Sequence, residues 1–132
     1  MPPQPLRVLI IDDHAPFRAA TRELLERRGF AVVAEADGAQ AGRVAVQAVA
    51  PDAVVLDVNL PDGNGIDLCR ALTAADPALA VLLVSADAGN GRWASDCGAV
   101  AFVAKVRLAS ADLDGLLRGA GADDELNDRA TG

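Results

Sequence analysis

The chain has 132 residues, of which 52% are hydrophobic and only 3% aromatic, and a formal net charge of -7. That length suits one domain with a core of Val, Leu, Ile and Ala, and the acidic balance disfavours non-specific binding to nucleic acid or to an anionic membrane. Cys69 and Cys97, with His14 as the single histidine, are too few for a disulfide framework and lack metal-ligand spacing, so they read as reduced thiols of a cytoplasmic protein.

The start, MPPQPLR, lacks the apolar stretch of a signal peptide, and residues 1–5 read as a disordered lead-in. Residues 6–11 are the first near-continuous apolar run, expected as a strand covered on both faces. Phe17, Thr21, Leu24, Leu25 and Arg28 then place one stripe on a helix that Gly29 stops. A second strand is expected at 31–34. Ala41, Val44, Ala45 and Ala48 make the next helical stripe, ended before Pro51. Residues 53–58 are the third strand, and Ile66, Cys69 and Leu72 mark a helix with Pro77 beyond its end. A fourth strand is expected at 79–84. The fourth helix, in ADAGNGRWASDC at 86–97, is weakened by Gly89 and Gly91 and carries the only tryptophan, Trp93. Residues 100–104 are the fifth strand, followed by a helix carrying Leu113, Leu116 and Leu117. From Gly119 the sequence GAGADDELNDRATG loses its periodicity and reads as a flexible acidic tail over 119–132. No apolar run approaches bilayer length.

Five strands alternating with helices predict a doubly wound parallel α/β sheet filling one domain over 6–118, and the order expected for it is 2-1-3-4-5. In such sheets, functional groups gather at the carboxyl ends of the strands beside the topological switch point. There the first strand ends in LIIDDHAP and the third in VVLDVN, so Asp12, Asp13 and Asp57 should share a pocket. Three carboxylates without a cation would raise one another's pKa values, which a hard cation such as Mg²⁺ relieves. The bland alternative is that Asp12 and Asp13 are an acidic pair at a helix N-terminus. A second buried strand ending in Asp57 argues against it. The fourth strand ends in VLLVSAD and the fifth in AFVAK, bringing Ser85 and Lys105 to the same edge. Singly these would be a turn serine and a solvated lysine. Together the set suits a carboxylate nucleophile that accepts a phosphoryl group, with Mg²⁺ and Lys105 neutralising charge and Ser85 bonding a phosphoryl oxygen.

IIDDH, VVLDVNLPDGNGIDLCR, LLVSA and GAVAFVAK together resemble the receiver domain of bacterial two-component response regulators, over residues 6–118. The resemblance implies a flavodoxin/CheY-like fold, with Asp57 as the phosphoacceptor served by a sensor histidine kinase or a small phosphodonor. It implies Mg²⁺ on Asp12, Asp13, Asp57 and the backbone carbonyl of Asn59. It further implies that Lys105 pairs with Asp57 or its phosphate, that Ser85 moves toward the phosphoryl group, and that Phe102 stands at an aromatic switch position. Plain core filling is the alternative for Phe102. The implied readout and homodimer surface is the fourth helix, fifth strand and fifth helix. Trp93 lies in that region, as a core-edge anchor or an interface residue.

Many receivers have Pro after the lysine, whereas Val106 follows Lys105 here. KVRLASADLDGLL and DDHAPFR resemble the subfamily whose receivers precede a LuxR-type DNA-binding domain, which points to transcriptional control through an output domain absent from this chain. A stand-alone receiver and a fragment of a longer regulator both stay open, and no DNA binding is expected of the chain alone. Two other classes compete with a switch that is not itself an enzyme. A small Mg²⁺-dependent aspartyl-phosphate phosphohydrolase would want a second Asp two residues past the nucleophile, where Asn59 stands. A flavodoxin-like carrier would want a phosphate-cradling loop where DDHAPFR is acidic.

Overall fold

The computed structural model describes residues 4–86 and 97–118. Five parallel strands form the sheet: β1 (Arg7–Ile11), β2 (Ala31–Ala36), β3 (Ala53–Asp57), β4 (Ala80–Ser85) and β5 (Ala101–Ala104). Their order is β2-β1-β3-β4-β5, the expected one. Val8 pairs with Ala53 and Ile11 with Leu56, while Asp57 stands opposite Val84 and Ser85 opposite Ala104. Between their first and last residues the central strands carry no polar residue, because both faces are covered. Leu9, Ile11, Val54, Leu56, Val81 and Leu83 point into one core layer. Val8, Ile10, Val55, Leu82 and Val84 point into the other. Each such aliphatic side chain contributes roughly 1.5–3 kcal/mol by leaving water.

Among the described residues, three α-helices cover these faces: α1 (Ala15–Arg27), α2 (Ala39–Val49) and α3 (Gly65–Ala75). α1 ends as expected. Gly29 takes φ 90°, its N–H bonds to Glu26 O, and the Phe30 N–H bonds to Leu25 O, closing the last turn. Arg28, expected on the apolar stripe, is instead exposed and donates to the carbonyls of Ala109 and Ala111.

The stripe expected on α2 is displaced. Val44 is 57% exposed, and Ala41 and Ala48 are exposed as well. Ala39, Ala45 and Val46 face the core. The cause is Gly42, where a Cβ would come within 2.7 Å of Ile11 Cδ1; the helix packs backbone-first against β1 and rotates Val44 outward. With Gly38 at its N-cap, α2 has no cap from its own start. Asp62, from the loop after β3, accepts from the Ala39 and Gln40 N–H groups at 2.6 and 3.1 Å. Those bonds hold the Asp62 carboxyl below the usual aspartate pKa.

Between β3 and α3, Asn59–Leu60 and Gly63–Asn64 form a short antiparallel ladder, and Asn64 Oδ1 caps α3 through Ile66 N at 2.7 Å. After β5 the chain forms a 3-10 turn (Lys105–Ser110) and a short π-helical segment (Asp114–Arg118) in place of one regular helix. Leu113 and Leu117 are buried there and Leu116 half-buried, so the expected face is correct although the winding differs. Cys69 and Cys97 are buried and form no disulfide. The fourth helix with Gly89, Gly91 and Trp93, the first residues of the lead-in and the tail 119–132 lie outside the described residues. Among the described residues, no helix is long and apolar enough to cross a membrane.

Candidate functional site

Four strands each deliver a polar residue to the same carboxyl edge. β1 runs on into Asp12, 1% exposed, whose N–H extends the ladder to Ala36 O at 3.0 Å. β3 ends on Asp57, 4% exposed, and β4 ends on fully buried Ser85. β5 leads straight into Lys105. Asp13 follows Asp12 and is exposed. Both precede α1, which begins at Ala15 after the N-cap His14, so neither lies in its first turn. Asp12 Oδ1 accepts instead from the His14 N–H at 2.8 Å.

One carboxylate oxygen from each of Asp12, Asp13 and Asp57 lies within 4.8 Å of the others. The Lys105 ammonium stands 2.7 Å from Asp12 Oδ2 and donates to Asp57 Oδ2 at 3.2 Å. Asp12 and Asp57 therefore share one ammonium, with Asp12 the nearer of the two. Asp57 Oδ1 accepts from the Asn59 N–H at 3.1 Å. Burial pushes the Asp57 carboxyl above the ordinary aspartate pKa; the Asn59 N–H opposes this, the Asp12 charge adds to it, and Lys105 opposes it. For Lys105, burial disfavours the cation, but the two carboxylates outweigh it and raise its pKa.

A second layer braces the first from α1. The Arg18 guanidinium donates to the Asp12 carbonyl at 2.6 Å and to Glu35 at 3.0 Å. Arg22 donates to the other Glu35 oxygen at 2.7 Å, and that bond, ahead of Arg18's, holds the Glu35 carboxyl below its usual pKa.

The family profile described as "Response regulator receiver domain" matches residues 8–114. The chain belongs to this family. The receiver is 33% identical over 102 residues to the DNA-binding transcriptional activator EvgA of Escherichia coli (strain K12), covering 76% of this chain and 50% of that protein. It is 41% identical over 81 residues to the DNA-binding transcriptional activator DevR/DosR of Mycobacterium tuberculosis, covering 61% of this chain and 37% of that one. Among solved structures, a LuxR-family two-component response regulator from Aurantimonas sp. SI85-9A1 superposes with a TM-score of 0.80 at 28% identity, covering 97% of this chain and 99% of that one. The receiver spans about half the length of the curated relatives it matches.

Of the residues singled out in the sequence, Asp12, Asp13, Asp57 and Lys105 converge in the receiver, with Ser85 and Asn59 at the same edge. Phe102 lies opposite Leu83 on β5, half-buried against the core layer beneath α2 and α3. Sequence reasoning missed Phe17, whose ring centroid is 4.4 Å from Lys105 Nζ, and the carbonyl contact of Arg18. One signal was available: Lys105 is the only lysine in the chain, every other basic side chain except His14 being arginine. A compact ammonium can sit between two carboxylates where a planar guanidinium would not fit the same point.

Proposed function

We propose that this receiver is a phosphorylation-controlled switch, taking a phosphoryl group on Asp57 from a sensor histidine kinase and using Mg²⁺. The observation that supports it most is the convergence of three carboxylates within 4.8 Å on one ammonium. Like charges about 4 Å apart repel by about 4 kcal/mol at an effective dielectric near 20. A single lysine does not offset three carboxylates. The donor set is all hard oxygen, with one oxygen from each carboxylate within 4.8 Å of the others, so the residues fit Mg²⁺. Asp12, Asp13, Asp57 and the carbonyl of Asn59 would hold it. When bound, the ion supplies neutralisation of charge on the transferring phosphoryl oxygens.

The chain's own residues do the rest. A carboxylate oxygen of Asp57 forms the new bond to phosphorus as the bond from phosphorus to the donor breaks. Lys105 neutralises charge on the acceptor, the Ser85 hydroxyl donates to a phosphoryl oxygen, and the Phe102 ring turns inward as Ser85 moves. Because the acceptor is itself modified, the chain acts as a phosphoacceptor in signalling, not as a turnover enzyme. The receiver unit is residues 6–118. Its readout is the face of the expected fourth helix, β5 and the segment after it, through which it would dimerise and control transcription by an output domain outside this chain. With a net charge of -7 the chain alone should not bind DNA.

Incubation with acetyl phosphate and Mg²⁺, followed by intact-mass measurement, should give a single phosphate adduct. An unmodified mass under saturating donor would sink the proposal. Asp13→Asn should weaken Mg²⁺ binding at least about tenfold, since a charged oxygen ligand is lost. It should also raise the metal-free melting temperature by relieving repulsion. An unchanged Mg²⁺ titration in that variant would contradict the metal site.

A further inference from the structure

We propose that Phe17 is a positioning residue whose ring holds the Lys105 ammonium at the acidic site, so that losing the ring slows phosphoryl uptake. The consequence for uptake rests on the phosphoacceptor reading of Asp57; the contact itself does not. Lys105 Nζ lies 4.4 Å from the Phe17 centroid, within the range where a cation is drawn to the face of an aromatic ring. The same nitrogen is 2.7 Å from Asp12 and 3.2 Å from Asp57, so one ammonium meets a ring on α1 as well as two carboxylates.

Two features make the ring more than packing. A cavity of about 340 Å³, lined by Phe17, Thr21, Leu24, Lys105 and Leu108 among others, adjoins the lysine. The four-carbon stem therefore has room to swing away, and a lysine free to do so gains side-chain entropy. The second feature is charge. The carboxylates that attract Lys105 are the groups that would bind a divalent cation, and once they do, they hold the ammonium less strongly. The attraction of the ring does not depend on their charge. Phe17 thus keeps Lys105 in place in the state where the carboxylates are occupied.

Lys105 is the only lysine, so lysine labelled with carbon-13 gives one set of side-chain signals in the full chain. In the wild type the ε-methylene protons should be shifted upfield by the ring current, with and without Mg²⁺. Phe17→Leu should return them to the position of a free lysine and slow labelling by acetyl phosphate about fivefold, a factor in keeping with a partly desolvated cation–ring contact. Phe17→Tyr should recover both. Leu24→Ala, which loosens the same cavity without touching the ammonium, should lower the melting temperature but keep the shifted signal. The proposal is overturned if the ε-methylene shift is the same in Phe17→Leu and wild type, or if tyrosine fails to restore the rate. A wild type that takes no phosphate would remove the phosphoacceptor reading instead, and the ε-methylene shift would then decide the contact alone.

Discussion

Asp57→Asn is expected to abolish phosphate labelling and, at the same time, to stabilise the metal-free protein at neutral pH. The first half follows from the place of Asp57 at the end of β3, with the Lys105 ammonium on one oxygen and the Asn59 N–H on the other. An amide is not a nucleophile of comparable strength, so labelling should fall by about three orders of magnitude or more. The second half follows from the raised pKa. Burial and the Asp12 charge disfavour the ionised Asp57 in the folded state, so the folded chain holds its proton more tightly than the unfolded chain. Metal-free stability should therefore decline as pH rises from the ordinary aspartate pKa through the higher folded value, and stay lowered above it. Asparagine is nearly isosteric, keeps an oxygen for the Asn59 N–H, and leaves Lys105 paired with Asp12. The variant should lack that decline. Melting temperature measured from acid to neutral pH in chelator, on both proteins, checks it. Parallel pH profiles would show that the site carries no such cost, and undiminished labelling of the variant would remove Asp57 as the acceptor.

The parts of this site that the sequence disclosed are those carried by strand ends. A run such as Val54-Val55-Leu56 has no polar atom to place until Asp57, so the residue that breaks the run is marked by contrast. The same holds for Asp12, Ser85 and Lys105, and the parallel order then fixes which edge they share. Helix faces were less legible where small residues set the packing. On α2 the residue that decides the orientation is Gly42, which has no side chain to register in a hydrophobic pattern, and Val44, on the expected apolar stripe, is exposed. Contacts between elements were the least legible. Phe17 reads as one more apolar residue on α1, and Asp62 as a turn residue. Their roles appear only when α1 is laid against Lys105 and the loop after β3 against α2. Nothing in the spacing along the chain encodes either juxtaposition. The winding after Lys105 was equally hidden, because Leu113 and Leu117 reach the core whether the backbone turns as an α-helix or as the tighter and wider turns observed.

Gly65→Ala should be the most damaging small substitution in the loop after β3. A Cβ at Gly65 would lie 2.0 Å from the Asp57 carbonyl oxygen and 2.8 Å from Val58 Cα. Both are backbone atoms of the strand end, so no side-chain rotation relieves the clash. The approach is fixed from the other direction too. The Gly65 N–H donates to Val58 O at 2.7 Å, and Asn64 caps the helix that begins at this residue. An added methyl must therefore push the start of α3 off the end of β3, breaking that bond and displacing the carbonyl side of Asp57. Overpacking of this kind costs about 3 kcal/mol, and in a domain of this size should lower the melting temperature by about 10 °C. Two other glycines separate steric from conformational causes. At Gly63 the nearest atom is Ala39 Cβ at 3.1 Å, which asks only for a small shift. At Gly29 the surroundings are open but φ is +90°, so alanine pays backbone strain of roughly 1–2 kcal/mol and no clash. The expected order of destabilisation is Gly65→Ala well above Gly29→Ala, with Gly63→Ala smallest, measured by urea unfolding of the three variants. Acetyl phosphate labelling should fall only in Gly65→Ala, because that substitution alone moves the backbone of the acceptor. If Gly65→Ala unfolds with Gly63→Ala, the strand end and the helix start are not locked together, and the placement of Asp57 must be set by β3 alone.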